Sequence, residues 1–200
     1  PEAIAQALAS FEPAARAALL HAPVEVMLTA LILGHQLAPF FLMIPLFVAT
    51  GIGANAFVGE KERGTLEALL YSPATDAEIF AGKALAAFVP AVLTTWGAFA
   101  LYIPVLRFAS ARWLPAAWFP SPPWWPLVGW LAPGVALLGV AIAVIVSARA
   151  KTFIGANQTT AALSLVTMAL AGGLATGSLT LSAPTVAVLG AAIWALDFLL

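Results

Sequence analysis

Apolar residues run along this chain in long unbroken blocks, at about 37–58, 84–106, 127–146, 153–177 and 185–200. A bilayer core ~30 Å thick takes about 20 apolar residues as a helix, so each block reads as a transmembrane span, the last slightly short. Strands of a transmembrane barrel would alternate apolar and polar residues over ~10 positions, and these blocks do not alternate. The pattern predicts an all-α, polytopic transmembrane helix bundle with five spans. Pro39 and Pro45 in the first span, and Pro90 and Pro104 in the second, are kink points that neighbouring helices accommodate in a membrane. Gly51, Gly53, Ala54 and Ala56 form a small-residue patch that lets another helix approach closely. Packing inside one subunit is its more common use, and a dimer contact is the alternative.

Residues 1–35 have a different texture. Ile4, Leu8, Phe11, Ala15 and Leu19 recur at three- and four-residue spacing, which predicts an amphipathic helix interrupted by Pro13 and Pro23. This segment is expected at or above a membrane surface, as a linker or a docking element. The stretch 107–126 carries Trp113, Trp118, Trp124 and Trp125 among five prolines. Tryptophan favours the membrane interface, so an interfacial loop is expected, with an aromatic ligand cage as the rarer alternative.

Charge is the second pattern. Only 8% of the residues are charged and the mean hydropathy is +1.01, against roughly 25% charged in a soluble domain. Residues 59–83 hold eight of the seventeen charged side chains: Glu60, Lys61, Glu62, Arg63, Glu67, Asp76, Glu78 and Lys83. A net charge of −1 speaks against nucleic acid as a partner. Without cysteine there is neither a disulfide nor a thiolate metal site.

Lys and Arg concentrate in cytoplasmic loops. Lys61, Arg63, Lys83, Arg149 and Lys151 fall on one side of the five-span pattern, and Arg16, Arg107 and Arg112 on the other. The cluster at 59–83 and the loop around Arg149 are therefore expected in the cytoplasm, with residues 1–35 outside and the C-terminus inside. An external N-terminal segment without a targeting pattern needs an earlier span to carry it across. One more span upstream is expected, making a six-span subunit.

Within the polar cluster, Gly64 marks a break. Thr65 is an N-cap candidate, and Glu67 stands in a first turn where the helix dipole favours an anion. A short helix over 65–71 would gather Leu66, Leu69 and Leu70 on one side, and Ser72-Pro73 would end it. Thr75, three residues ahead of Glu78, matches a capping box opening the next helix. Such a knob suits docking into a partner's groove, and a solvated turn is the plainer alternative. Catalysis finds no footing. Gly82-Lys83 is followed by Ala84 and lacks the upstream glycine of a phosphate-binding loop. His21 and His35 stand apart from metal or nucleophile motifs, and spans carry no paired carboxylates of a proton relay. Asp197, near the end of the last span, is expected to snorkel to water. Thr94 and Thr95 in the second span, and Asn157 and Gln158 early in the fourth, are candidate translocation-path residues; Thr hydroxyls in a span more often bond back to their own helix.

The run Glu60-Lys61-Glu62-Arg63-Gly64-Thr65-Leu66-Glu67-Ala68-Leu69-Leu70, then Ser72-Pro73, Glu78 and Gly82-Lys83, resembles the signature of the ABC-2 type permeases, the membrane subunits of ABC exporters. The stretch 147–152, with Ala156 and Gln158 after it, is similar to that family's second cytoplasmic connection. The similarity covers roughly 37–200. It implies a 36–200 transmembrane domain whose 59–83 loop couples to a separate ATPase. Glu60, Arg63, Gly64, Thr65, Leu66, Glu67, Leu69, Leu70, Ser72 and Pro73 would be at that contact, and Arg149 and Lys151 in the second loop. Two ATPase copies and a second permease subunit are the implied partners. ATP and Mg would be held on the ATPase, with no cofactor in this chain. The layout resembles the sodium- and drug-efflux branch. An ion-coupled secondary transporter and a non-transporting membrane scaffold are the competing functions.

Overall fold

A computed structural model describes residues 2–59, 74–115, 118–149 and 182–199. Among these the chain is helical, with turns between. Helix α1 spans Glu2–Ala9, α2 Pro13–His21 and α3 the long run Val24–Phe57. Helix α4 covers Asp76–Ser110, α5 Trp124–Ser147 and α6 Ala183–Leu199. Three of them, α3, α4 and α5, are long and apolar enough to cross a membrane, and α6 is a shorter apolar helix. At 1.5 Å per residue, α3 and α4 are each about 50 Å long, well beyond a bilayer's hydrocarbon core.

Pro13 occupies the first turn of α2, where its missing N–H costs nothing. Leu8, Phe11, Ala15 and Leu19 are buried as their spacing predicts, whereas Ile4, of the same series, is exposed. One boundary differs. The first apolar helix begins at Val24, well before position 37, and passes through His35 and Gln36. Those polar residues do not end it because His35 is buried, with Nδ1 3.1 Å from the Ser10 hydroxyl of the turn after α1.

The middle of the bundle is a seam of small residues. Ala49, Ala87, Ala91 and Ala136 are fully buried there. A Cβ on Gly53 would stand 2.8 Å from the Ala143 Cβ, so the two backbones touch only because Gly53 has none. This gives the small-residue patch its use within the subunit at Gly53 and Ala54, whereas Gly51 has open space around it. Gly139 meets Ala49 and Gly53 meets Ala143, so α3 and α5 run in the same direction. Phe57 meets Phe80 while Phe41 meets Phe99 and Tyr102, so α4 runs opposite to them. Trp130 lies over Gly190, and Trp194 over Gly134, which sets α6 parallel to α5.

Candidate functional site

The polar cluster is described at its two feet. Helix α3 runs through a π-helical turn, Asn55–Gly59, and α4 opens at Asp76. Thr75 and Glu78 form the expected capping box. The Thr75 N–H and hydroxyl each donate to Glu78 Oε2 at 2.8 Å, and the Glu78 N–H donates back to Thr75 Oγ1 at 3.3 Å. Two donors orphaned at a helix start are thereby satisfied with no help from neighbouring elements. The feet stand together: the Phe57 and Phe80 rings are 5.8 Å apart, and Lys83 Nζ lies 5.6 Å from the Phe57 ring centroid. Gly59, Thr75 and the end of the helix reaching Arg149 share one end of the bundle, since α3 and α5 are parallel and α4 returns. Glu60, Arg63, Gly64, Thr65, Leu66, Glu67, Leu69, Leu70, Ser72 and Pro73 lie outside the described residues, as do Lys151, Asn157 and Gln158.

Of the path candidates, Thr95 is buried and donates to the Ala91 carbonyl at 2.8 Å, and Thr94 faces outward from α4. Thr50, in the seam and not singled out from sequence, is buried and donates to the Leu46 carbonyl at 2.6 Å. Asp197 departs from expectation. Both its carboxylate oxygens are shut off from solvent and have no hydrogen-bond partner among the described residues.

The opposite end of the bundle holds a structure that the sequence did not announce. Helix α3 widens into a π turn at Ile32–Gln36. Pro39 has no N–H, so one carbonyl about a turn before it loses its helical donor. Side chains from elsewhere reach two carbonyls of this turn: Tyr102 Oη donates to the Leu33 carbonyl at 2.8 Å, and Trp124 Nε1 to the Gly34 carbonyl at 2.7 Å. A Cβ on Gly34 would meet Trp118 at 3.0 Å and Phe11 at 3.2 Å, so the turn sits directly under two rings. Phe119 and Trp124 pack with Phe41, Phe99 and Tyr102 around it, and Arg107 Nε donates to the Phe119 carbonyl at 2.8 Å.

This corrects the reading of all four loop tryptophans as interfacial. Trp118 and Trp124 are 2% and 0% exposed and belong to the core, whereas Trp113 and Trp125 are exposed, at 49% and 60%. Composition alone could not sort them, because the indole N–H that favours an interface also suits a buried carbonyl. The one available signal was Pro39 following His35 and Gln36 in an otherwise apolar run.

Among curated proteins and among solved structures no match was found. A family model described as ABC-2 family transporter protein matches residues 23–199, from the start of α3 to the end of α6. With long apolar helices and most of its length inside that match, the chain belongs to the ABC-2 transporter family.

Proposed function

We propose that this membrane protein is the permease subunit of an ATP-binding-cassette exporter, forming the translocation path and driven by a separate ATPase. The observation that carries the reading is the family match over 23–199. In this proposal a 36–200 transmembrane domain crosses the cell membrane at about 37–58, 84–106, 127–146, 153–177 and 185–200. The parallel course of α5 and α6 supports it, because the chain between them has to return across the bundle. Residues 1–35 are outside and the C-terminus is cytoplasmic.

The 59–83 loop is the coupling region. Its support is geometric: both feet and the helix reaching Arg149 lie at one end, so two loops can present one face to a partner. Glu60, Arg63, Glu67 and the leucines 66, 69 and 70 would dock on one of two ATPase copies, which hold ATP and Mg, and the loop of a second permease subunit on the other. A second permease subunit completes the pore. A capped, rigid start to α4 would transmit a push on the loop into the span, since the capping box fixes the first turn of a continuous 35-residue helix.

One observation favours an ion-coupled transporter instead, the donorless carboxylate of Asp197. It stands alone among the described spans, whereas a relay needs a chain of ionisable groups. The two readings separate on co-purification with an ABC ATPase and on its ATP hydrolysis. Glu67→Lys and Leu69→Asp should each abolish ATPase capture while leaving the permease folded and monodisperse. Intact capture and transport in both variants would remove the coupling assignment.

A further inference from the structure

At the end of the bundle away from the polar cluster, a groove of 240 Å³ opens between the start of α3, the end of α4 and the turn that follows. Its walls include Glu25, Thr29, Leu106, Ser110, Trp113 and Trp118. The hydroxyls in this wall are already engaged. Thr29 donates to the Glu25 backbone carbonyl at 2.7 Å, and Ser110 donates to the Leu106 carbonyl at 2.8 Å while accepting from Trp118 Nε1. A sugar or a neutral polar ligand would find few free partners.

What the groove offers is apolar surface, an indole face and one charge. Among the described residues, Glu25 is the only charged one lining it. It lies in the first turn of α3, at the positive end of the helix dipole, and no ion pair to it is present among the described residues. Trp113, half-exposed at the rim, already attracts a cation: the Arg112 guanidinium carbon sits 5.6 Å from its ring centroid. Arg107, the other cation nearby, is turned toward the Phe119 carbonyl.

We propose that this groove binds a small organic cation with an apolar body, its ammonium group between Glu25 and the Trp113 ring. A volume below the ~300–1,000 Å³ of drug-sized sites sets the size at about one ring plus an ammonium head. The site does not depend on ATPase coupling, and its failure would leave the proposed function untouched.

Binding of radiolabelled benzyltrimethylammonium to the full chain in phosphatidylglycerol-containing nanodiscs tests it, with neopentylbenzene as the uncharged isostere. Glu25→Gln should weaken binding of the cation about fivefold, the worth of one partly screened charge contact near 1 kcal/mol, and Trp113→Ala about threefold. Arg112→Ala should tighten it by removing a like charge. Neopentylbenzene binding should not respond to Glu25→Gln. Glu25 and Trp113 are both exposed at the rim, so the variants keep the fold, checked by monodispersity. If Glu25→Gln and Arg112→Ala shift affinity in the reverse senses, the groove selects anions and the proposal is overturned. It is equally overturned if none of the three changes affinity, the result expected of a groove that merely holds lipid tails.

Discussion

The two ends of the bundle solve the same backbone problem by opposite means. At the Thr75 end, orphaned helix donors are satisfied locally, by a side chain three residues away. At the Leu33 end, the carbonyls of a π turn are bonded at long range, by Tyr102 and Trp124, which come from two other helices. Each helix end or wide turn leaves backbone groups that need partners from a side chain, another helix or water. A local cap satisfies its helix start without a hydrogen bond from another helix. A long-range cap ties three helices into one unit. The first arrangement suits a segment that is pushed by a partner, the second a fixed end about which helices pivot.

This contrast can be broken by substitution. Trp124→Ala should have the largest effect, about 3–5 kcal/mol of lost stability, because it deletes a fully buried ring and strips the Gly34 carbonyl of its donor. Chemical unfolding in detergent reads this, and a loss under 1 kcal/mol would mean the aromatic end does not bind the helices together. Gly53→Val should come next, at about 1–3 kcal/mol, since the α3–α5 seam has no room for a larger side chain beside Ala143. Tyr102→Phe keeps the ring and removes only the donor to Leu33, for about 1 kcal/mol. Thr75→Ala should cost about 1 kcal/mol or less, and its loss should be confined to the first turns of α4. Hydrogen exchange sharpens the comparison: Tyr102→Phe should raise exchange in α3 as well as α4, and Thr75→Ala in α4 alone. Exchange spreading equally from both sites would erase the distinction between local and long-range caps.

The local cap was legible in the sequence and the long-range one was not. Thr75 and Glu78 carry their own geometry, since three residues of helix fix where the two side chains meet. The donors to Leu33 and Gly34 come from 69 and 90 residues away, and nothing in the spacing of Tyr102 or Trp124 says which carbonyl they reach. The same holds for the tryptophans of 107–126. Their number pointed to an interface, yet burial of Trp118 and Trp124 follows from the turn that folds them back over Gly34. His35 misled in the same way: a polar residue in an apolar run looked like a boundary, and Ser10 makes it a core residue. The start of α3 was therefore placed too late.

What the sequence by itself determined is the class of molecule. Unbroken apolar blocks can be satisfied only as helices in a membrane, and they put α4 and α5 close to where they lie. The run beginning at Glu60 carried the family, which the match over 23–199 shows. What only the tertiary structure decided is which residues of like character do different work: Gly53 in a seam but Gly51 in open space, Trp118 inside but Trp113 at a groove, Asp197 shut from water. Hydropathy is a property of one residue and is written in the chain. Burial and hydrogen-bond partnership belong to pairs, and exist only once the helices meet.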